Sequence, residues 1–280
     1  EPPPPVMPDR PFALVSNDHG IRSRFRHALV AGLEQADFDL AVVAPSGEQS
    51  WVSRGMTRRG RVEVRSFDGF ACPAWEVDGT PSDCVNIGIG HLVEREPDIV
   101  VSGINVGYNA TETLVFSSGT VAAALEAAVW RIPAVAASKW LPKEVWETAR
   151  KENNTGEVED RIERSVHADG RQIARFARQR VGSRSGDMIV HNLNFPLESD
   201  DRTPIVQTRP APLKLGSLFA RQSAGHYAFT YARGEVLDDS DDTDIATIFS
   251  GKISHSILNF SRIGVLPDRP NVKKIDQTRT

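Results

Sequence analysis

Phe12-Ala13-Leu14-Val15-Ser16-Asn17-Asp18-His19-Gly20 is the stretch whose reading decides the fold. Its apolar half has no polar alternation, as expected of a parallel strand covered on both faces. The polar half puts a carboxylate and an imidazole at the carboxyl end of that strand, just before a helix-like sequence. In open α/β sheets that edge is where ligands bind. Asp18 and His19 side by side suggest a metal site. The competing reading is an Asx-type turn in which Asp18 merely caps the following helix. The run alone leaves both open.

Working outward, strand-like and helix-like segments alternate. Ile21, Phe25, Ala28, Leu29 and Leu33 fall on one face at helical spacing and predict a helix over 21–35. Asp39 to Pro45 reads as a second buried strand and Val62 to Arg65 as a weaker one. Thr80-Pro81-Ser82-Asp83 combines a capping residue, a proline at the first helical position and a carboxylate three after the cap. That helix is expected to run to about Glu96, closed by Pro97, with a strand over 98–103. Ser118-Gly119-Thr120 opens an Ala-rich helix to about Trp130, followed by a strand over 132–138. Residues 141–165, with Asn153-Asn154-Thr155-Gly156, read as a surface loop, and 159–181 as a helix. Met188 to Pro196 reads as a further strand. The alternation predicts an α/β fold with a doubly wound, mostly parallel, Rossmann-like sheet.

After residue 200 the pattern changes, with strands at 227–231 and 251–258 separated by turns. The expected organisation is a disordered Pro-rich arm at 1–10, an α/β core at 11–200 and a β-rich C-terminal oligomerisation arm and tail at 201–280.

Bulk properties narrow the classes. A length of 280 residues fits one large α/β domain with an appendage. Lys and Arg number 33 against 37 Asp and Glu, a formal net charge of -4, which argues against a nucleic-acid polymer as partner. A small phosphorylated ligand remains open. No apolar run approaches the roughly 20 residues of a membrane helix. Cys72 and Cys84 form neither a metal knuckle nor a disulfide framework and fit a reducing compartment, so a cytoplasmic protein is expected. The chain begins with Glu1 rather than Met, a start consistent with processing or trimming.

Four polar loops each follow an expected parallel strand: Asn17 to Gly20, Ala44 to Ser50, Ser102 to Asn109, and His191 to Asn194. They are expected to converge on one sheet edge. Ser118-Gly119-Thr120 adds a helix N-terminus, whose free N–H groups and dipole favour an anion such as phosphate.

These runs resemble the SurE (survival protein E) family of metal-dependent 5′/3′-nucleotidases. Asn17-Asp18-His19-Gly20 stands where the family usually has Asn-Asp-Asp-Gly. Ala44 to Ser50 matches its Ala-Pro-x-x-x-Gln/Arg-Ser run, and Gly79 to Val85 its Gly-Thr-Pro-x-Asp-Cys-Val run. Pro97 to Asn109 and Ser118 to Ala124 match its Ser-Gly-Ile-Asn and Ser-Gly-Thr-Val runs. Asn192 to Pro196 and Thr243 to Ser254 match its late runs, so the likeness extends over about 11–260.

The resemblance implies a SurE-like fold and a phosphomonoesterase acting on nucleoside monophosphates through a metal-activated water. By motif position, the metal ligands would be Asp18, His19, Ser50 and Asn105, with Asp18, His19 and Asn105 serving catalysis. Phosphate would be held by Asn109, Ser118, Gly119 and Thr120. The implied cofactor is Mg²⁺ or Mn²⁺. The implied partners are a small phosphorylated substrate, no membrane, and further copies of the chain in a homodimer or homotetramer.

His19 departs from the family's pattern. It removes a negative charge, and its imidazole suits Mn²⁺, Zn²⁺ or another later metal better than Mg²⁺. Three readings stay open: a ligand in a retuned site, a general acid or base lying behind the ligands, or a site that has lost metal and ordinary activity. The alternatives at the level of function are a phosphate- or nucleotide-binding protein with weakened catalysis, and a tailoring phosphatase for a specialised metabolite.

Other polar residues have plainer readings. Asp83 is a helix-start carboxylate and Cys84 a core residue. His191 stands near a strand end and reads as a hydrogen-bonded histidine. His27, His91 and His255 read as structural, Glu126 as a partner for a basic residue, and Asp238 to Asp242 as a solvated turn lacking EF-hand spacing. Arg54, Arg58 and Arg59 read as a basic loop, and Glu112 as solvent-facing.

Overall fold

The apolar run Phe12–Ser16 is strand β1, buried along its whole length. The computed structural model that establishes this describes residues 10–142, 145, 157–231 and 234–262. The expected Pro-rich arm (Arg10 apart), the Asn153 to Gly156 loop and the C-terminal tail beyond 262 lie outside the described residues.

Helix α1 is Arg24–Gln35. It starts later than the apolar spacing predicts because Ile21 stays in the loop, buried, with its N–H donating to Pro45 O at 2.7 Å. Strands β2 (Asp39–Pro45), β3 (Val64–Ser66) and β4 (Ala74–Val77) follow. β4 has only four residues, too few for periodicity to reveal. Helix α2 (Pro81–Ile87) has the full capping box: Thr80 accepts from Asp83 N, and the Asp83 carboxylate accepts from Thr80 N. The α-helical stretch stops well short of Glu96. It passes into a π-helical turn at Gly88–Leu92, where two glycines weaken helix propensity.

The remaining elements are β5 (Ile99–Val106), α3 (Glu112–Ser117), α4 (Gly119–Val129), β6 (Ala134–Lys139), α5 (Glu157–Arg178), β7 (Ile189–Phe195), β8 (Ile205–Thr208), β9 (Leu213–Lys214), β10 (Phe219–Ser223), β11 (His226–Phe229), β12 (Glu235–Val236), α6 (Asp244–Phe249) and β13 (Ile253–Asn259).

The main sheet has the order β3-β4-β2-β1-β5-β6-β7-β13-β8. From β4 to β7 all pairings are parallel, whereas β3 and β13 are antiparallel additions and β8 runs with β13. Two strands from beyond residue 200 thus belong to this sheet, and β10–β11 and β9–β12 form two small sheets outside it. The architecture is the mostly parallel α/β sheet that the alternation predicts, with extra C-terminal strands.

One apolar layer holds Leu29, Leu33, Val42, Val101 and Ile173, and the other holds Leu14, Val43, Val85, Val100 and Val121. α1 and α5 cover the first face and α2 and α4 the second. Each fully buried Leu, Ile or Val contributes about 1.5–3 kcal/mol. That burial fixes the frame from which the loops project.

Candidate active site

β1 pairs with β2 on one side and with β5 on the other, so successive crossovers leave β1 in opposite directions. The crevice outside the carboxyl ends of β1 and β5 is the topological switch point of the sheet. Asn17 to Gly20 and the end of β5 both open into it.

β5 bends to reach it. Its register to β6 shifts between Ser102 and Asn105, and Gly103 lies there at φ +148°. A Cβ on Gly103 would sit 2.5 Å from Ala137 O, so glycine is required for the strands to pass. The bend brings Asn105 Oδ1 to 2.7 Å from His19 Nε2. Asn105 Nδ2 donates to Gly107 O at 2.9 Å, which fixes the end of the amide that faces the imidazole. Val106 N–H approaches the same Nε2 at 3.2 Å. Below this pair, Gly20 O accepts from Arg26 Nη1 at 2.6 Å and from Asn17 Nδ2 at 3.1 Å, which pins the loop.

Asp18 is buried, and Thr120 Oγ1 donates to its Oδ1 at 2.7 Å. It therefore sits at a helix N-terminus, but that of α4; α1 has Ser23 at its N-cap with no side-chain cap bond. The idea that Asp18 merely caps its own helix is thereby overturned. Ser118 Oγ accepts from Val121 N at 3.0 Å and caps α4. A Cβ on Gly119 would lie 2.8 Å from Asp18 Cβ and 2.9 Å from Gln49 O, so only glycine lets α4 come this close. Burial pushes the Asp18 carboxyl up, opposed by the His19 charge and the Thr120 hydrogen bond. A buried carboxylate in that state is a place for positive charge.

Ser50 is half-buried, and its hydroxyl donates to Glu48 Oε1 at 3.1 Å. Its loop is joined to the first one by Gln49 N–H donating to Asp18 O at 2.7 Å. Among the expected ligands, then, His19 and Asn105 touch, Asp18 adjoins His19 in the chain, and Ser50 is tied in through its neighbour.

No group of three or more His, Cys, Asp or Glu among the described residues is arranged to hold a metal. The set here is different: one carboxylate, one imidazole nitrogen, one amide oxygen and one hydroxyl. Nε2 and Oδ1 lie against each other and Asp18 is buried next to His19 in the chain; these are donor types that divalent cations take, the imidazole suiting the later ones.

Asn109 is buried on the β6–β7 side. Its N–H donates to Asn194 Oδ1 at 2.8 Å, its side chain donates to Ser138 Oγ at 2.8 Å, and its carbonyl accepts from Asn192 Nδ2 at 2.8 Å. The fourth expected loop is instead part of a strand: His191 to Asn194 lies within β7, where Asn192 and Asn194 hold Asn109. Sequence reasoning did not foresee the role of Asp244, which accepts from Thr111 N at 2.7 Å, Ala211 N at 3.0 Å and Ile245 N at 2.8 Å. Thr111 is held there at φ +73°, an unusual backbone for a β-branched residue. The signal was the helix-start pair Thr243-Asp244, which says nothing of the distant loop it clamps.

The plainer readings stand as follows. Asp83 completes its capping box and also accepts from Thr57, and Cys84 is buried. Glu126 pairs with Arg54 at 2.6 Å, so Arg54 ties the loop down. Asp238 and Asp242 flank Arg209. His191 and His255 pair with each other at 2.9 Å. Glu112 is exposed. No helix among the described residues is long and apolar enough to cross a membrane.

The fold is shared with a solved structure. The crystal structure of the SurE protein from Aquifex aeolicus superposes with a TM-score of 0.66 at 24% identity, covering 89% of this chain and 93% of that one. Among curated relatives, the 5′-nucleotidase SurE of Methanothrix thermoacetophila is 33% identical over 245 residues, spanning 86% of this chain and 89% of its own length. That of Methanosarcina mazei is 28% identical over 260 residues, spanning 92% and 91%. The family model described as survival protein SurE matches residues 13–217, which include every loop of the crevice, and the chain belongs to that family.

Proposed function

We propose that this chain is a hydrolase that removes phosphate from nucleoside monophosphates with the help of a divalent cation. The observation that carries the reading is the contact of His19 with Asn105 at the switch point, next to an Asp18 that is held at the N-terminus of α4. The 5′-nucleotidase relatives named above support the reaction class. Asp18, His19, Ser50 and Asn105 would hold the cation. When bound, it supplies Lewis acidity toward a phosphate oxygen and toward water. Asp18 contributes the negative charge of the set, and Thr120 fixes its orientation. Ser118, Gly119 and Thr120 present a helix N-terminus to the anion, and Asn109 flanks it from a buried cradle. Donors held this firmly stabilise charge on the equatorial oxygens with little reorganisation. On the same resemblance we assign a homodimer or homotetramer assembled through the C-terminal strands, and on the free Cys72 and Cys84 a cytoplasmic location.

The test is phosphate release from nucleoside monophosphates and simple phosphomonoesters with Mg²⁺, Mn²⁺, Co²⁺, Zn²⁺ or chelator. The expected result is cation-dependent release that Asp18→Asn lowers by about 10³-fold. Full activity in that variant overturns the assignment. The single carboxylate favours a second reading, a nucleotide-binding protein with weakened catalysis. In that case the wild type releases little phosphate with any cation, and His19→Asp creates the activity.

A further inference from the structure

The loop after β2 crosses the mouth of the crevice and is fastened at both ends. Gln49 N–H donates to Asp18 O at 2.7 Å, and Ser53 N–H donates to Ser117 O at 3.1 Å, just before the α4 N-cap. Ser53 Oγ also donates to Phe116 O at 2.7 Å. Trp51 stands between these anchors, one residue after Ser50.

Its backbone is unusual. Trp51 has φ +65° and Ser53 φ +52°. For a residue as bulky as tryptophan the left-handed region is unfavourable, and such strain gathers at functional sites. Here it turns the indole across the mouth toward Phe229 and Tyr231. The ring centroids lie 5.1 Å from Phe229 and 5.8 Å from Tyr231, in edge-on and tilted geometry.

This cluster is not a core. Trp51 remains 37% exposed, Phe229 48% and Tyr231 45%. Phe229 ends β11, and the β10–β11 hairpin it belongs to has no buried residue. The three rings form an uncharged, half-open aromatic surface bordering a polar crevice suited to phosphate. The loop's anchors on Asp18 and Ser117 place this surface beside the crevice, within reach of the organic part of a phosphomonoester seated there by its phosphate.

We infer that Trp51, together with Phe229 and Tyr231, is a stacking platform for the nucleobase of the substrate, and so a determinant of specificity for nucleotides over base-free phosphates. The inference rests on the phosphomonoesterase reading of the crevice. Stacking on aromatic side chains tolerates any base, because every base presents a π-face. The platform therefore selects for the presence of a base and discriminates weakly among bases.

The experiment uses the full chain and two variants. Trp51→Gly removes the ring and places at φ +65° the residue that tolerates it, so the variant is expected to fold. Tyr231→Ala tests the opposite side. Adenosine 5′-monophosphate and ribose 5-phosphate are titrated calorimetrically with Mn²⁺ present, and phosphate release is followed from both. The expected result is that each variant lowers the preference for the nucleotide over ribose 5-phosphate, by about tenfold for Trp51→Gly. If wild type binds the two ligands equally, or if the variants weaken both alike, the platform is overturned while the hydrolase reading stands. If wild type releases no phosphate yet nucleotide binding depends on Trp51, the platform stands and the hydrolase reading falls. Binding of neither ligand by wild type overturns both. If light scattering shows that Trp51→Gly breaks an oligomer without changing the preference, the surface joins copies of the chain, and the platform is overturned.

Discussion

His19 Nε2 lies 2.7 Å from Asn105 Oδ1, so the residue that departs from the family's first loop faces the expected ligand on β5 directly. The departure is therefore not a surface substitution. It replaces an anion by a ring nitrogen at the point where two strands of the switch point converge, and it leaves Asp18 as the carboxylate of the set. If the proposed cation site holds, one charge fewer weakens its hold on hard Mg²⁺, while a nitrogen donor favours later metals.

His19→Asp is expected to shift the ratio of Mg²⁺- to Mn²⁺-supported kcat/KM upward by about tenfold, because the second carboxylate restores a hard ligand. The check is phosphate release across a concentration series of each cation. An unchanged ratio would mean that His19 does not ligate.

Asp244 makes a second prediction, through the loop it clamps. Burial pushes its carboxyl up to about 6 despite three N–H donors. Since the folded value exceeds the ordinary 3.8, the native state holds this proton more tightly than the unfolded chain. Its contribution to stability is complete below about pH 4 and is lost as pH rises through 6, a span of about 3 kcal/mol. Asp244→Asn is expected to remove this slope and to cost about 1–3 kcal/mol, because one donor is left facing an amide N–H. Urea unfolding at pH 4, 5, 6 and 7 reads both effects.

The frame was legible because its signals are local and periodic. β1, β2 and β6 are largely apolar runs without alternation, and the Thr80 to Asp83 start is a complete capping box. What escaped was short or non-local. β4 is too brief to show a period, and β13 enters the main sheet through antiparallel pairing with a strand some sixty residues earlier, from Asn194–Ser254 to Ile189–Asn259. At the site, the run around Asp18 pointed to the crevice. No local pattern could show that Thr120 would bind Asp18, that Asp244 would clamp Thr111, or that a tryptophan would occupy a left-handed backbone beside Ser50. Those are facts of tertiary packing.

His191 and His255 predict acid sensitivity remote from the crevice. Their Nδ1 and Nε2 atoms are 2.9 Å apart, a contact that requires one ring to accept and hence to be neutral. Phe176 packs edge-on against both, and Arg180 lies over Phe176. Burial lowers both to about 4, with the His255 and Arg180 charges adding to the effect at His191 and the Arg180 charge at His255. The native state therefore binds fewer protons than the unfolded chain below pH 6.5. Stability is whole above that value and falls as pH drops toward 4. His255→Phe is expected to flatten the fall by about 3 kcal/mol across this window. Denaturant midpoints at pH 7 and pH 4 for the two proteins supply the test, and parallel losses would refute it.

Lys139 and Asp169 form a fully buried ion pair at 2.7 Å, with both side chains 0% exposed. Lys139 Nζ also donates to Ser165 Oγ at 2.9 Å and to Pro196 O at 3.0 Å, and Ser199 Oγ bonds Asp169. Burial lowers the lysine and raises the carboxyl, so desolvation works against the pair from both sides. Such a pair adds little net stability over an apolar replacement, but breaking it leaves one charge stranded. Lys139→Met is expected to cost about 3–5 kcal/mol, and adding Asp169→Leu to recover most of that loss. The pair also matters to the crevice, because Lys139 lies at the end of β6 and its carbonyl accepts from Gly107 N at 2.8 Å, next to the Asn105 turn. Thermal unfolding of the single and double variants separates the two possibilities. Recovery in the double variant shows that the single loss came from the stranded Asp169, whereas an additive further loss would show that the ion pair itself holds β6 to α5.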